Sequence, residues 1–187
     1  MLQPPIPDPD DVLFRLSRLL PAVFQAIEAG TLHGREYFEQ RGEPVNGPLY
    51  PNLVRYAAKC YLADHGHDVA EFVQEELANN GLWLGYAPYQ IRILKSDHGA
   101  VPPPGKLRAK RDFYNQRVLQ LPLPLIDGST GVPVGEPLNL VILWDVTPTY
   151  NLAGLTLVCP KGGDVDRFPP DVYWRVVVPH PAETVQR

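Results

Sequence analysis

The chain has 187 residues, of which 44% are hydrophobic and 20% charged, so it is long enough for one good core and cramped for two independent domains. This composition is typical of a globular protein and excludes a disordered chain. The net charge is -4, yet the stretch from Lys95 to Arg117 carries +4, so the rest carries -8. A cationic segment on an anionic body predicts an acidic partner.

Proline is unusually frequent, since it accounts for 22 of the 187 residues, about twice its usual share of ~5%. Because proline fixes φ and lacks a backbone donor, we expect short elements joined by rigid loops. Two cysteines are too few for a disulfide framework. The N-terminus does not resemble a signal peptide, and no apolar run approaches the ~20 residues of a membrane span. We therefore expect a cytoplasmic protein without membrane contact and with free thiols.

The first third of the chain has helical patterns. Asp8 is a candidate N-cap with Pro9 at the first helical position, and apolar residues then recur at helical spacing. We expect Pro21 to kink or split this helix and Gly30 to end it. Residues 34–41 are predicted to form a short second helix.

Two more helices are predicted before the pattern changes. One spans residues 51–65, with an apolar stripe on one face and Gly66 as a left-handed stop. Cys60 lies near that stripe and is predicted to be in the core. The other helix is predicted over residues 68–78.

The remainder of the chain has the strongest strand signal, because its segments are rich in β-branched and aromatic residues. The predicted strands are two within residues 83–95, separated by a break at Ala87-Pro88 and with the second at 89–95, then 138–146, 152–159 and 173–178.

Helices followed by strands favour an α+β fold in which N-terminal helices pack on a small, mostly antiparallel β-sheet. We expect a single domain over residues 1–187. Its predicted parts are an extended arm at 1–7, a mainly helical part at 8–81, a strand-rich part at 82–178 containing a basic helix at 106–119, and a tail at 179–187.

The basic helix supplies the leading functional hypothesis, a non-enzymatic binding or regulatory protein whose partner is a nucleic acid or an acidic protein surface. Its ammonium and guanidinium groups suit phosphate and carboxylate groups. The commoner explanation for such a run is a solvated helix face paired with carboxylates of the same chain. No cofactor is predicted. The predicted partner-binding residues are Lys95, Lys106, Arg108, Lys110, Arg111 and Arg117.

The competing hypothesis is a metal-dependent hydrolase or nuclease. It would use Asp145, Asp97 or the His65/His67 cluster, since carboxylates and imidazoles are ordinary metal ligands. For this hypothesis to hold, these groups have to converge in one pocket. The sequence has no nucleotide-binding, zinc-protease or hydrolase-elbow motif.

Two further catalytic patterns are incomplete. Cys159 ends a predicted strand and has Lys161 nearby to lower its pKa, but free cysteines are mostly buried and inert. Lys95 precedes the basic helix as a nuclease lysine would, yet position 93, where a metal-binding acid is required, is Ile93. We therefore predict no catalytic residue and no metal ligand.

The segment LNLVILWDVTPTYNLAGLTLVCPKG, together with the upstream pieces LANNGL, IRILKSDHGAVPPPGK and FYNQ, resembles a set of uncharacterised small bacterial and phage proteins. The resemblance covers roughly the C-terminal two thirds of the chain. It implies a bacterial or phage origin and transfers no functional residue.

Overall fold

The computed structural model describes residues 6–66, 72–76, 81–96, 99–104, 106, 108–116, 138–162 and 169–184. These residues form an α+β fold, as the sequence predicts. The helices are α1 (Pro9–Arg15), α2 (Leu19–Glu39), α3 (Tyr50–His65), α4 (Arg108–Tyr114) and α5 (Pro181–Thr184). The strands are β1 (Phe72–Glu76), β2 (Leu82–Tyr86), β3 (Tyr89–Lys95), β4 (Leu138–Val146), β5 (Leu152–Pro160) and β6 (Val172–Val178).

The six strands form one sheet in their chain order, β1 to β6. Every neighbouring pair is antiparallel except β3 and β4, which run parallel. Parallel neighbours require a long crossover connection, and the one between β3 and β4 contains α4. The mostly antiparallel sheet is therefore confirmed, and its parallel pair is what positions the basic helix.

The sheet has two covered faces. On the first face, α1, α2 and α3 pack over alternate strand residues such as Ile91 and Leu140 to form the larger core. On the second face, Phe113 and Tyr114 of α4 pack over strand residues including Val141 to form a smaller core. Because strand side chains alternate, neighbouring residues of β3 belong to different faces.

The first predicted helix is interrupted before Pro21, and its second part continues beyond Gly30. Asp8 caps α1 by accepting a hydrogen bond from the Asp10 backbone N–H at 2.9 Å, as predicted. The chain breaks between α1 and α2, ahead of Pro21, which lies in the first turn of α2 where a missing N–H costs nothing. The predictions that Gly30 ends a helix and that residues 34–41 form a separate one are wrong, since α2 runs through both.

A contact with another helix explains why a glycine occupies position 30 inside α2. A β-carbon at that position would lie 2.5 Å from the backbone oxygen of Val54 on α3. A β-carbon at Gly34, one turn later, would lie 2.9 Å from the ring of Tyr50. These glycines allow α2 and α3 to approach closely, and this contact outweighs their low helix propensity.

Three other local predictions are wrong. Residues 72–76 form β1 instead of a helix, because Phe72 pairs with Tyr86 and the rest of the segment follows β2 in register. Cys60 is exposed, since it lies two residues from the buried Ala58 and therefore on the other side of α3. Gly66 has a φ of -76°, so it ends α3 without adopting the left-handed conformation.

Candidate functional site

The second face of the sheet holds α4 through aromatic contacts. Phe113 is fully buried, and its ring meets that of Trp83 edge to face with centroids 5.3 Å apart. Tyr114 is also buried, and its hydroxyl donates a 2.8 Å hydrogen bond to the carbonyl oxygen of Pro102. The proline-rich loop before the helix is therefore joined to the last turn of the helix.

A buried glutamine connects the end of α4 to the sheet. The side-chain Nε2 of Gln116 donates to the carbonyl oxygens of Asn139 at 2.9 Å and Pro160 at 2.8 Å, while its Oε1 accepts from the Asn139 backbone N–H at 2.8 Å. Asn139 in turn donates from Nδ2 to the carbonyl of Phe113 at 3.0 Å. Gln116 has a φ of 56°, which ends the helix at Tyr114 rather than at the predicted residue 119.

The structure brings together part of the predicted basic set. Lys106, Arg108 and Lys110 are exposed on α4 and just before it, and Arg111 is half-buried. Lys95 is not with them: it follows Ile91 and Ile93 in alternation and pairs with Trp144, so it belongs to the first face. Arg117, the sixth member, lies outside the described residues.

Carboxylates neutralise little of this positive charge in the part of the chain that the structure describes. Arg108 forms an ion pair with Asp112 one turn later, at 3.5 Å, but its side chain is 86% exposed and such a pair contributes little. Within the described residues, no ion pair joins Lys106, Lys110 or Arg111 to an acid. The face of α4 therefore presents cations to solvent.

Sequence reasoning missed one further basic residue at this face. Arg92 of β3 points toward α4, with its guanidinium carbon 5.6 Å from the ring centroid of Trp83 and 5.4 Å from that of Phe113. Burial lowers the pKa of Arg92; the neighbouring Tyr114 opposes this shift and the charge of Arg55 adds to it. The available signal was a basic residue in the interior of β3, flanked by Ile91 and Ile93.

Like charges also act on Lys110. Burial lowers its pKa first, and the positive charges of Arg92 and Arg55 lower it further. Burial likewise lowers the pKa of Arg55, which lies on α3. The charge of Arg55 thus acts on both Arg92 and Lys110, and such repulsion between like charges is unfavourable unless an anion is nearby.

The two described residues of the competing catalytic hypothesis, Asp145 and His65, do not converge. Asp145 shares the second face with Leu143, whereas His65 ends α3 on the first face and stacks on Tyr61 with centroids 4.3 Å apart. Asp97 and His67 lie outside the described residues. Among the residues that are described, no group of three His, Cys, Asp or Glu side chains could hold a metal ion.

Cys159 does not have the environment of a nucleophile. It is fully buried in the core, and burial raises the pKa of its thiol to about 12. The nearby Lys161 has its ammonium group 5.8 Å from the ring centroid of Tyr173. Because nucleophilic attack requires the thiolate, this thiol is inert at neutral pH.

No protein-family model, no curated protein and no solved structure matches the chain. The resemblance to small bacterial and phage proteins therefore stays a prediction. No helix within the described ranges is both long and apolar enough to span a bilayer.

Proposed function

We propose that the protein is a non-enzymatic binding or regulatory protein that contacts an acidic partner, a nucleic acid or an acidic protein surface, through the α4 face. We define the α4 face as Lys106, Arg108, Lys110 and Arg111 together with Arg92 of the sheet. The observation that carries the proposal is the positive charge of this face, which described carboxylates neutralise only at Arg108. On a molecule of net charge -4, such a face attracts anions selectively.

The rigidity of α4 supports the proposal. A binding surface loses less entropy on association when its side chains are held on a fixed element. The aromatic contacts of Phe113 and the Gln116 hydrogen bonds hold α4 against the sheet, and the Tyr114 hydroxyl joins it to the preceding loop. The backbone positions that carry the cations of α4 are therefore fixed relative to one another.

The test is a double charge reversal, Arg108→Glu with Arg111→Glu. The full chain is titrated with a labelled single-stranded oligonucleotide and with a labelled polyglutamate peptide at two or more salt concentrations. The control is Arg15→Glu with Arg18→Glu, which makes the same change in net charge at exposed positions around α1, on the first face. Circular dichroism checks that both variants are folded.

We expect at least one probe to bind the wild-type protein and to lose affinity by on the order of tenfold or more in the α4 variant, with little change in the control. If the probe is the single-stranded oligonucleotide, the slope of log affinity against log salt should fall by about 1.4 when two phosphate contacts are removed. Equal losses in the two double variants, or binding that is independent of salt, would contradict the proposal.

A further inference from the structure

The environment of Arg92 is the most unusual feature of the α4 face. Its side chain is largely enclosed between the rings of Trp83 and Phe113, yet it keeps some solvent access. A guanidinium group that lies against aromatic rings can still direct its N–H donors at an oxyanion. Within the described residues, no carboxylate lies within ion-pair distance of Arg92. Burying a charge without a partner is costly, so an anion at this position would stabilise the site.

Buried hydrogen-bonding groups next to Arg92 also lack partners. Gln90 lies two residues earlier on the same strand, hence on the same face, and is only 1% exposed. In the part of the chain that the structure describes, neither its Nε2 nor its Oε1 has a hydrogen-bond partner, and the same is true of the buried indole Nε1 of Trp83, which pairs in register with Arg92. Native proteins satisfy most such groups, so a polar ligand that hydrogen-bonds to this amide would complete the site.

A glycine lies opposite this amide on the neighbouring strand. The residue opposite Gln90 on β2 is Gly85, so β2 contributes no side chain next to it. From the other side, Lys110 lies one turn before Phe113 on α4 and carries an exposed ammonium group. Cationic, amide and indole donors are therefore available from β2, β3 and α4.

The charges favour a dianion. Arg92 and Lys110 bring two positive charges to this corner of the second face, and the single charge of a carboxylate would balance only one of them. A phosphate monoester carries a charge between about -1.5 and -2 near pH 7 and offers three strong acceptor oxygens. Its oxygens could accept from guanidinium, ammonium and amide groups at once.

We propose that the corner of the second face formed by Gln90, Arg92 and Lys110 is a binding site for one terminal phosphate group. This inference rests on the proposed function of the α4 face and adds to it the chemistry of the group recognised. Arg92 supplies the main charge-assisted hydrogen bonds, Lys110 a second positive charge at the rim, and Gln90 a neutral donor inside. The phosphate can be free or the terminus of a larger molecule.

The first experiment uses inorganic phosphate with the full-length protein. Binding is measured by calorimetry and by the shift in unfolding temperature, at constant ionic strength kept with sodium chloride. We expect saturable binding that weakens by about tenfold or more in Arg92→Gln and by several-fold in Lys110→Gln. The matched control is Arg15→Gln, which removes an equal charge from an exposed position of α1 on the first face and should bind phosphate like the wild type.

Lys110→Gln keeps the test decisive if Arg92→Gln does not fold, because Lys110 is exposed and its replacement leaves the core intact. An effect of phosphate that does not saturate, or that is equal in Lys110→Gln and Arg15→Gln, overturns the inference. In that case a charge reversal at Arg108 and Arg111 that still removes polyanion binding would leave the proposed function standing.

The second experiment distinguishes the sources of the phosphate. Two short oligonucleotides of identical sequence, one with a 5′-phosphate and one with a 5′-hydroxyl, are compared in the same titration. Tighter binding of the phosphorylated one, lost in Lys110→Gln, identifies a polynucleotide terminus as the ligand. Equal affinity of the two, with saturable binding of inorganic phosphate, identifies free phosphate or a small phosphorylated molecule.

Discussion

Replacing Gln116 by alanine tests how the α4 face is held in place. Gln116 is 8% exposed, and its amide makes three hydrogen bonds of 2.8–2.9 Å to the backbone of β4 and β5. Alanine removes all three and leaves the N–H and carbonyl of Asn139 and the carbonyl of Pro160 without this partner. The perturbation is therefore confined to the junction between α4 and the sheet.

The expected magnitude follows from these bonds. A neutral intramolecular hydrogen bond contributes about 1 kcal/mol net, so three of them predict a loss of about 3 kcal/mol in the free energy of unfolding. A second variant, Gln116→Gly, loses the same bonds but relieves the left-handed backbone, since its φ is 56°. We expect it to be more stable than Gln116→Ala by about 0.5–1 kcal/mol.

The assay is urea unfolding followed by tryptophan fluorescence and circular dichroism. Trp83 contacts Phe113 of α4, so its emission reports on the second face. The control is the exposed neighbour Asn115, replaced by alanine, which should change stability by less than about 0.5 kcal/mol. Two results would refute this account of the junction: a Gln116→Ala protein as stable as Asn115→Ala, or a Gln116→Gly protein less stable than Gln116→Ala.

Two further perturbations test the packing of the first face. Gly30→Ala should destabilise the protein by about 1–3 kcal/mol despite the better helix propensity of alanine, because the added methyl would meet the Val54 carbonyl. The control is Gly154→Ala, since nothing lies within 4 Å of a β-carbon at that position. Equal unfolding midpoints for the two variants would contradict the expectation. Burial raises the pKa of Tyr50 and of Tyr114 to about 12, from an ordinary value of 10.0. Both hydroxyls stay neutral in the folded state at a pH where those of the unfolded chain ionise, so the free energy of unfolding should fall as the pH rises from 10 to 12. If this free energy does not change with pH over that range, and Tyr50→Phe has no effect on it, these hydroxyls are not buried.

The sequence predicts best where local pattern and tertiary packing agree. The strand at residues 138–146 is apolar on both alternating positions, and β4 is indeed covered on both faces. Asp8 and Pro9 specify the start of α1 through chemistry within one turn. Prediction fails at Gly30 and at β1, because a partner distant in the chain decides the conformation there.

Some features of the candidate site can likewise be predicted from the sequence, and others depend on the fold. The excess of cations between residues 95 and 117 is a property of composition, so it is visible before any fold is known. That Lys95 belongs to the opposite face, that Arg92 joins the helix cations and that the amide of Gln90 is buried beside them depend on strand register and on the crossover that carries α4. The charged residues can be identified from the sequence, whereas long-range strand pairing decides which groups lie next to each charge. The proposed phosphate site depends on those neighbouring groups.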